Sequence, residues 1–206
     1  MRDMTLENFT AALASNRPAP GGGGASAAVA ALGTALGSMV GNFTTGKKKY
    51  AEVEADIQRI LAECADLQDK LLDCIARDAH AFEPLSRAYA MDKDTPGYAE
   101  TMEKCLRDAA SVPMDILRLS CRAIELHAEL LEKGSVMMLS DVGTGVVFCW
   151  SALYGAALNV RVNTKLMKDA AYAAALNAEV REKLDTYWKI ADEVYEKVYR
   201  RFDREN

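Results

Sequence analysis

The chain has 206 residues, half of them hydrophobic and 27% charged, with a formal net charge of −5. That composition can bury a core and excludes a disordered chain, while the acidic balance excludes a nucleic-acid surface, which needs a clustered basic face. Cys64, Cys74, Cys105, Cys121 and Cys149 form no C-x-x-C pair, so they indicate neither zinc ligation nor a disulfide framework, and suit reduced thiols in cytoplasm.

The opening MRDMTLENF carries acids where a secretory leader needs an apolar run, so export is not expected. Leu6, Phe9 and Leu13 recur at helical spacing, and the pattern stops before Pro18. Residues 18–30 read PAPGGGGASAAVA and lead into a helix expected to reach about Thr45. A glycine loop entering a helix suits an anion, because the first N–H groups lack partners and the dipole is positive there. Neither a Gly-Lys-Ser/Thr ending nor G-x-G-x-x-G after a strand is present, so the phosphate motifs do not apply. Gly33, Gly37 and Gly41 make a smooth stripe for close helix approach. Ala25 to Val40 is rich in Ala, Gly, Ser and Thr and reads as a core helix, apolar on nearly every side, with no membrane role expected.

A long helical period follows through Tyr50, Val53, Ile57, Ile60, Cys64, Leu67, Leu71, Ile75, Phe82 and Leu85, where Pro84 must bend or end it. In DKDTPGYAE, Thr95 reads as an N-cap and Pro96 as the first helical residue. The next helix bends at Pro113 and stops at Gly134. Ser140 reads as the cap of an apolar helix ending near Leu158, NVRVN as a short strand-like piece, and Asp169 to Phe202 as a last amphipathic helix. The expectation is one all-α domain over residues 1–206, built from long, partly kinked, packed helices.

Catalysis should show as polar groups where packing wants apolar ones. At about 100° per residue, Asp78 falls between Ile75 and Phe82 on the apolar face of its helix, whereas Asp66, Asp69 and Asp73 project away. Burial would raise its pKa toward that of a general base or acid, and a satisfied structural aspartate is the alternative. The same phase turns His80 to solvent and places His127 near the edge of an apolar face, as a packing residue. No Ser-His-Asp or Cys-His arrangement supports a covalent nucleophile. Lys47 and Lys48 complement the C-terminal dipole of the glycine-rich helix or hold a ligand carboxylate. Ser140 and Asp141 are an N-cap and first-turn acid or a ligand contact. Asn159, Arg161 and Asn163 alternate along an extended piece and would point together into a cleft, or form a polar turn.

The blocks PAPGGGGASAAVAALGTALGSMVGN, TTGKKKY, RDAHAFEPLSRAYAMDKDTP, AASVP, LSD at 139–141 and GAALNVRVNTKLMKD together give the chain a resemblance to the formiminotransferase-cyclodeaminase C-terminal family, nearest its single-domain bacterial methenyltetrahydrofolate cyclohydrolases. The resemblance covers nearly the whole chain. It implies a helical homodimeric enzyme acting on the one-carbon bridge of tetrahydrofolate, as cyclohydrolase or as formimidoyltetrahydrofolate cyclodeaminase, without metal or cofactor. The family's catalytic aspartate, in D-A-x-A-F, matches Asp78; the proton for the departing ring nitrogen would come back from Asp78 or be supplied by Asp141. Gly21, Gly22, Gly23, Gly24 and Ser26 would wall a folate cleft, with Ser140, Asn159, Arg161 and Asn163 as further contacts and Lys47 and Lys48 on the glutamate tail. Gly24 stands where many members carry serine, and Ser135 where many carry asparagine.

Overall fold

The computed structural model describes residues 4–203, so Met1 to Asp3 of the leader reading lie outside the described residues. Helix α1 spans Leu6–Leu13, capped by the Thr5 hydroxyl, which accepts from the Asn8 N–H at 3.1 Å. Helix α2 spans Gly22–Asn42, and a 3-10 stretch, Lys48–Val53, leads into α3, Glu54–Tyr89. Helix α4 spans Tyr98–Lys133, a 3-10 turn at Val136–Met138 precedes α5, Leu139–Thr164, and α6 spans Ala170–Arg200 behind the Asp169 cap. Among the described residues there is no strand.

Helix α2 lies against α3, α4 and α5 at the centre, and its glycine stripe explains how. A Cβ at Gly33 would sit 2.6 Å from Cys149 Sγ, and one at Gly41 2.7 Å from Leu61 Cδ2, so only glycine lets these neighbours approach. Gly22 meets Asn159, Ser26 meets Gly155 and Gly33 meets Gly145, a falling register that makes α2 and α5 antiparallel. The main core fills the space around them, and a smaller cluster centred on Leu85, Leu106, Ala110 and Met167 packs one end of the bundle.

Several local expectations change. Of the two expectations at Pro84, the end of the helix is excluded, because α3 continues past it to Tyr89. Thr95 does not cap α4. It opens a turn in which the Tyr98 N–H donates to the Thr95 carbonyl at 3.0 Å, Pro96 comes second and Gly97 third with φ +80°, the type II pattern, so the helix begins at Tyr98. Ser140 is within the first turn of α5 and makes no side-chain cap. NVRVN is not extended. Its valines alternate as in a strand, but Val160 and Asn163 are buried in helix packing that overrides β propensity.

His127 was expected near a face edge and is instead fully enclosed, 1% exposed. Its Nδ1 pairs with the Ala123 carbonyl at 2.9 Å, while Nε2 meets no hydrogen-bond geometry among the described residues. Gly145 and Gly37 leave the room it occupies: a Cβ at Gly145 would lie 2.8 Å from its Cδ2, and one at Gly37 3.3 Å from its Cε1. Burial holds its pKa below the usual imidazole value, with the Ala123 and Gly33 carbonyls opposing. The five cysteines are free and buried, and burial pushes the Cys64 and Cys74 thiols up to about 11.

Candidate active site

Asp78 lies on the face of α3 that meets the N-terminus of α2, as the helical phase predicts, and His80, two residues and about 200° further on, is exposed. The Gly24 N–H donates to Asp78 Oδ2 at 2.9 Å, and Oδ1 accepts no hydrogen bond among the described residues. Gly23 lets the carboxylate reach the helix end, because a Cβ there would be 2.5 Å from Asp78 Cγ. Burial raises the Asp78 pKa above the ordinary aspartate value, and the Gly24 N–H partly offsets it.

A cleft of about 180 Å³ opens in front of this carboxylate. Gly21, Gly22 and Gly23 form one wall, Phe82, Pro113 and Val162 give it an apolar lining, and Asn159 and Asn163 close it from α5. The asparagines are one turn apart on a helix, so they share a face for a different reason from the extended reading. Asn159 Nδ2 donates to the Gly155 carbonyl at 2.8 Å, and Asn163 Nδ2 to the Asn159 carbonyl at 2.8 Å and to the Ala109 carbonyl of α4 at 3.3 Å.

The other candidates are elsewhere in the protomer. Arg161 is exposed on the opposite side of α5, because in a helix it does not share the face of Asn159 and Asn163. Ser26 is buried against Gly155 and donates to the Gly22 carbonyl at 2.7 Å, so it joins α2 to α5 and does not line the cleft. Lys47 and Lys48 follow the far end of α2, whose 21 residues span about 30 Å. Lys47 lies over the Phe43 ring at 5.8 Å. Ser140 and Asp141 start α5 and are therefore also at that far end, Ser140 lining a separate apolar groove with Phe148, Tyr195 and Tyr199. Phe82 and Pro113 lie in motifs the sequence reading quoted, yet nothing but packing distinguishes them before the fold is known.

Residues 5–182 match the formiminotransferase-cyclodeaminase family. The chain belongs to that family. It is 39% identical over 198 residues to a methenyltetrahydrofolate cyclohydrolase of Methylorubrum extorquens, covering 94% of this chain and 95% of that protein. It is 30% identical over 171 residues to the formimidoyltransferase-cyclodeaminase of Mus musculus, covering 81% of this chain and 32% of the mouse protein. The crystal structure of formiminotetrahydrofolate cyclodeaminase from Thermotoga maritima superposes with a TM-score of 0.82 at 30% identity, over 96% of this chain and 95% of that one. All-helical architecture is thus shared by a family member of known structure.

Proposed function

We propose that the protein is a methenyltetrahydrofolate cyclohydrolase, converting 5,10-methenyltetrahydrofolate reversibly to 10-formyltetrahydrofolate. The observation that carries this is the Asp78 carboxylate, fixed by one N–H, with its second oxygen open to a cleft that has no cationic side chain among the described residues. The substrate's bridge is a cationic amidinium, which an ionised carboxylate in a poorly solvated cleft attracts. Asp78 takes a proton from water as the water oxygen bonds to the methenyl carbon, giving a neutral carbinolamine. As the carbon–N5 bond breaks, Asp78 returns that proton to N5, the hydroxyl proton leaves to solvent and the carbonyl of the formyl group forms. The near full-length similarity to the Methylorubrum cyclohydrolase supports this choice of reaction.

The 30% identity to cyclodeaminases favours a second reading on the same site, ring closure of 5-formimidoyltetrahydrofolate with loss of ammonia. Loss of methenyltetrahydrofolate absorbance, set against ammonia release from the formimidoyl compound, separates the two. Neither signal with tight folate binding would leave a non-catalytic folate-binding protein.

A homodimer completes the reading. One protomer's cleft is smaller than the roughly 300–1,000 Å³ of ordinary small-molecule sites. Helices α2 and α5 together present an uncovered apolar face that includes Leu32, Met39, Phe43, Met137, Tyr154, Leu158 and Val162. Along α5 and just beyond its two ends the exposed apolar residues run from Val136 to Leu166. A two-fold axis at its middle, near Ser151, sets α5 against the partner's α5 head to tail. Leu158 then meets Thr144, and Ser140 approaches Val162 at the cleft. In this arrangement the lysines and Asp141 act on the partner's substrate. The net charge of −5 supports the absence of a nucleic-acid partner, and the five free cysteines suit a reducing cytoplasm. Helices Gly22–Asn42 and Val136–Thr164 are long and apolar enough to cross a membrane, but 56% and 50% of their apolar windows are buried in the fold, which supports a core role.

A further inference from the structure

The polar side chains that line the cleft are Asp78, Asn159 and Asn163, with no hydroxyl, lysine or arginine among the described residues. The amide orientation of Asn163 follows from its neighbours. Two backbone carbonyls face its Nδ2, and turning the amide over would set its oxygen against both of them. The same holds for Asn159 at the Gly155 carbonyl. Asn163 therefore has both N–H donors engaged and Asn159 one of its two, while neither Oδ1 accepts a hydrogen bond among the described residues. Asn163 is 7% exposed as a residue, and what accessibility it keeps includes its unpaired carbonyl oxygen, which is not among the buried unpartnered atoms and so is open to a donor in the cleft. Residues four apart on a helix are about 5–6 Å apart at Cβ, so the two oxygens form a pair of acceptors across one helical turn. Asp78 comes from the opposite helix and is assigned to the bridge carbon, which leaves the α5 pair for another part of the ligand.

We infer that Asn159 and Asn163 are specificity residues that read the donor edge of the ligand's heterocycle, the N–H and exocyclic amino groups of an aminopyrimidinone ring. This rests on the folate reading above and adds which end of the folate faces α5. A ring edge with two neighbouring N–H donors satisfies both amide oxygens, whereas one offering acceptors there would leave them unpaired. The apolar Phe82 and Pro113 suit the flat ring face.

The test compares 5,10-methenyltetrahydrofolate with its 2-desamino-2-methyl analogue, which keeps the amidinium bridge and lacks the amino donors. The wild-type protein and the variants Asn159→Ala and Asn163→Ala are assayed with both compounds, and folding is checked by circular dichroism. The wild type should favour the parent compound by about 10- to 100-fold in kcat/KM, chiefly through KM. In each variant that preference should fall at least about tenfold, because the deleted ligand group and the deleted oxygen act as a pair. Asn163→Ala also loses its bond to α4. If it does not fold, Asn159→Ala decides, since the Asn159 amide donates only within its own helix. An unchanged preference in a folded variant, or an equal fall in kcat for both compounds, overturns the inference while turnover of the parent leaves the cyclohydrolase reading intact. Absence of both turnover and folate binding in the wild type overturns the two together.

Discussion

The carboxylate of Asp78 occupies the space that a side chain at Gly23 would fill, with Asp78 Cγ 2.5 Å from where the Cβ would be. The neighbouring Gly24 N–H holds one carboxylate oxygen at 2.9 Å. The glycine run is thus a seat for the aspartate, and a small change there should act on chemistry before it acts on the fold.

Gly23→Ala should lower kcat/KM by at least about 100-fold, since displacement of a catalytic group by about 1 Å costs that much. Gly21→Ala should cost less than Gly23→Ala, because a Cβ at Gly21 meets no described protein atom within 4 Å and leaves the Asp78 carboxylate where it is. Steady-state rates of the two variants, with melting temperatures as control, make the comparison. Equal losses would show that flexibility of the run, and not the seat, matters.

Asp78 should also weaken the fold at neutral pH. Burial raises its pKa in the folded protein, so its contribution favours folding below the unfolded value near 3.8 and is lost as pH rises through the folded value. Asp78→Asn, which keeps an oxygen for the Gly24 N–H, should therefore raise the melting temperature at pH 7, with the gain vanishing toward pH 3.5. A lower melting temperature at pH 7 would mean that the ionised form is stabilised by contacts other than this bond.

His127 works with the opposite sign at acid pH. Its folded pKa lies below the unfolded value near 6.5, so stability is full above that value and declines as pH falls from there toward the folded pKa. Cys64 and Cys149 beside the same glycine stripe remain protonated throughout, raised by burial, and do not offset the loss. Urea titrations at pH 7.5 and 5.5 should show a lower midpoint at the acid value, and His127→Gln should narrow the difference. Gly145→Ala, which crowds the imidazole, should destabilise by about 1–3 kcal/mol at either pH.

Much of this was legible in the residues themselves. Asp78 was marked by helical phase alone, and the stripe Gly33, Gly37, Gly41 announced close packing that the structure supplies with Cys149, His127 and Leu61. What could not be read was distance along a straight helix. Lys47 follows the glycines by little more than twenty positions, and a rigid α2 converts that into about 30 Å. The valines of NVRVN carried a strand signal that burial of Val160 and Asn163 overrules. The type II turn at Thr95 to Tyr98 was available from Pro-Gly and was masked by the stronger look of a threonine cap.

The separation of Asp78 from Asp141 and the lysines makes the assembly testable. Leu158, 70% exposed on α5, sits at the proposed two-fold contact. Leu158→Glu should shift the mass in light scattering from dimer to monomer and reduce activity together with it. A fully active monomer would place the whole site in one chain.

The central claim is that Asp78, seated on the glycine run, is the base that adds water to the methenyl carbon. Its most direct measurement is the rate of methenyltetrahydrofolate absorbance loss for wild type and Asp78→Asn from pH 4 to 8. Loss of at least about 100-fold in kcat for the variant, with an acid limb in the wild type above the ordinary aspartate pKa and absent from the variant's residual rate, is the predicted result. Retention of the full rate by Asp78→Asn would contradict it.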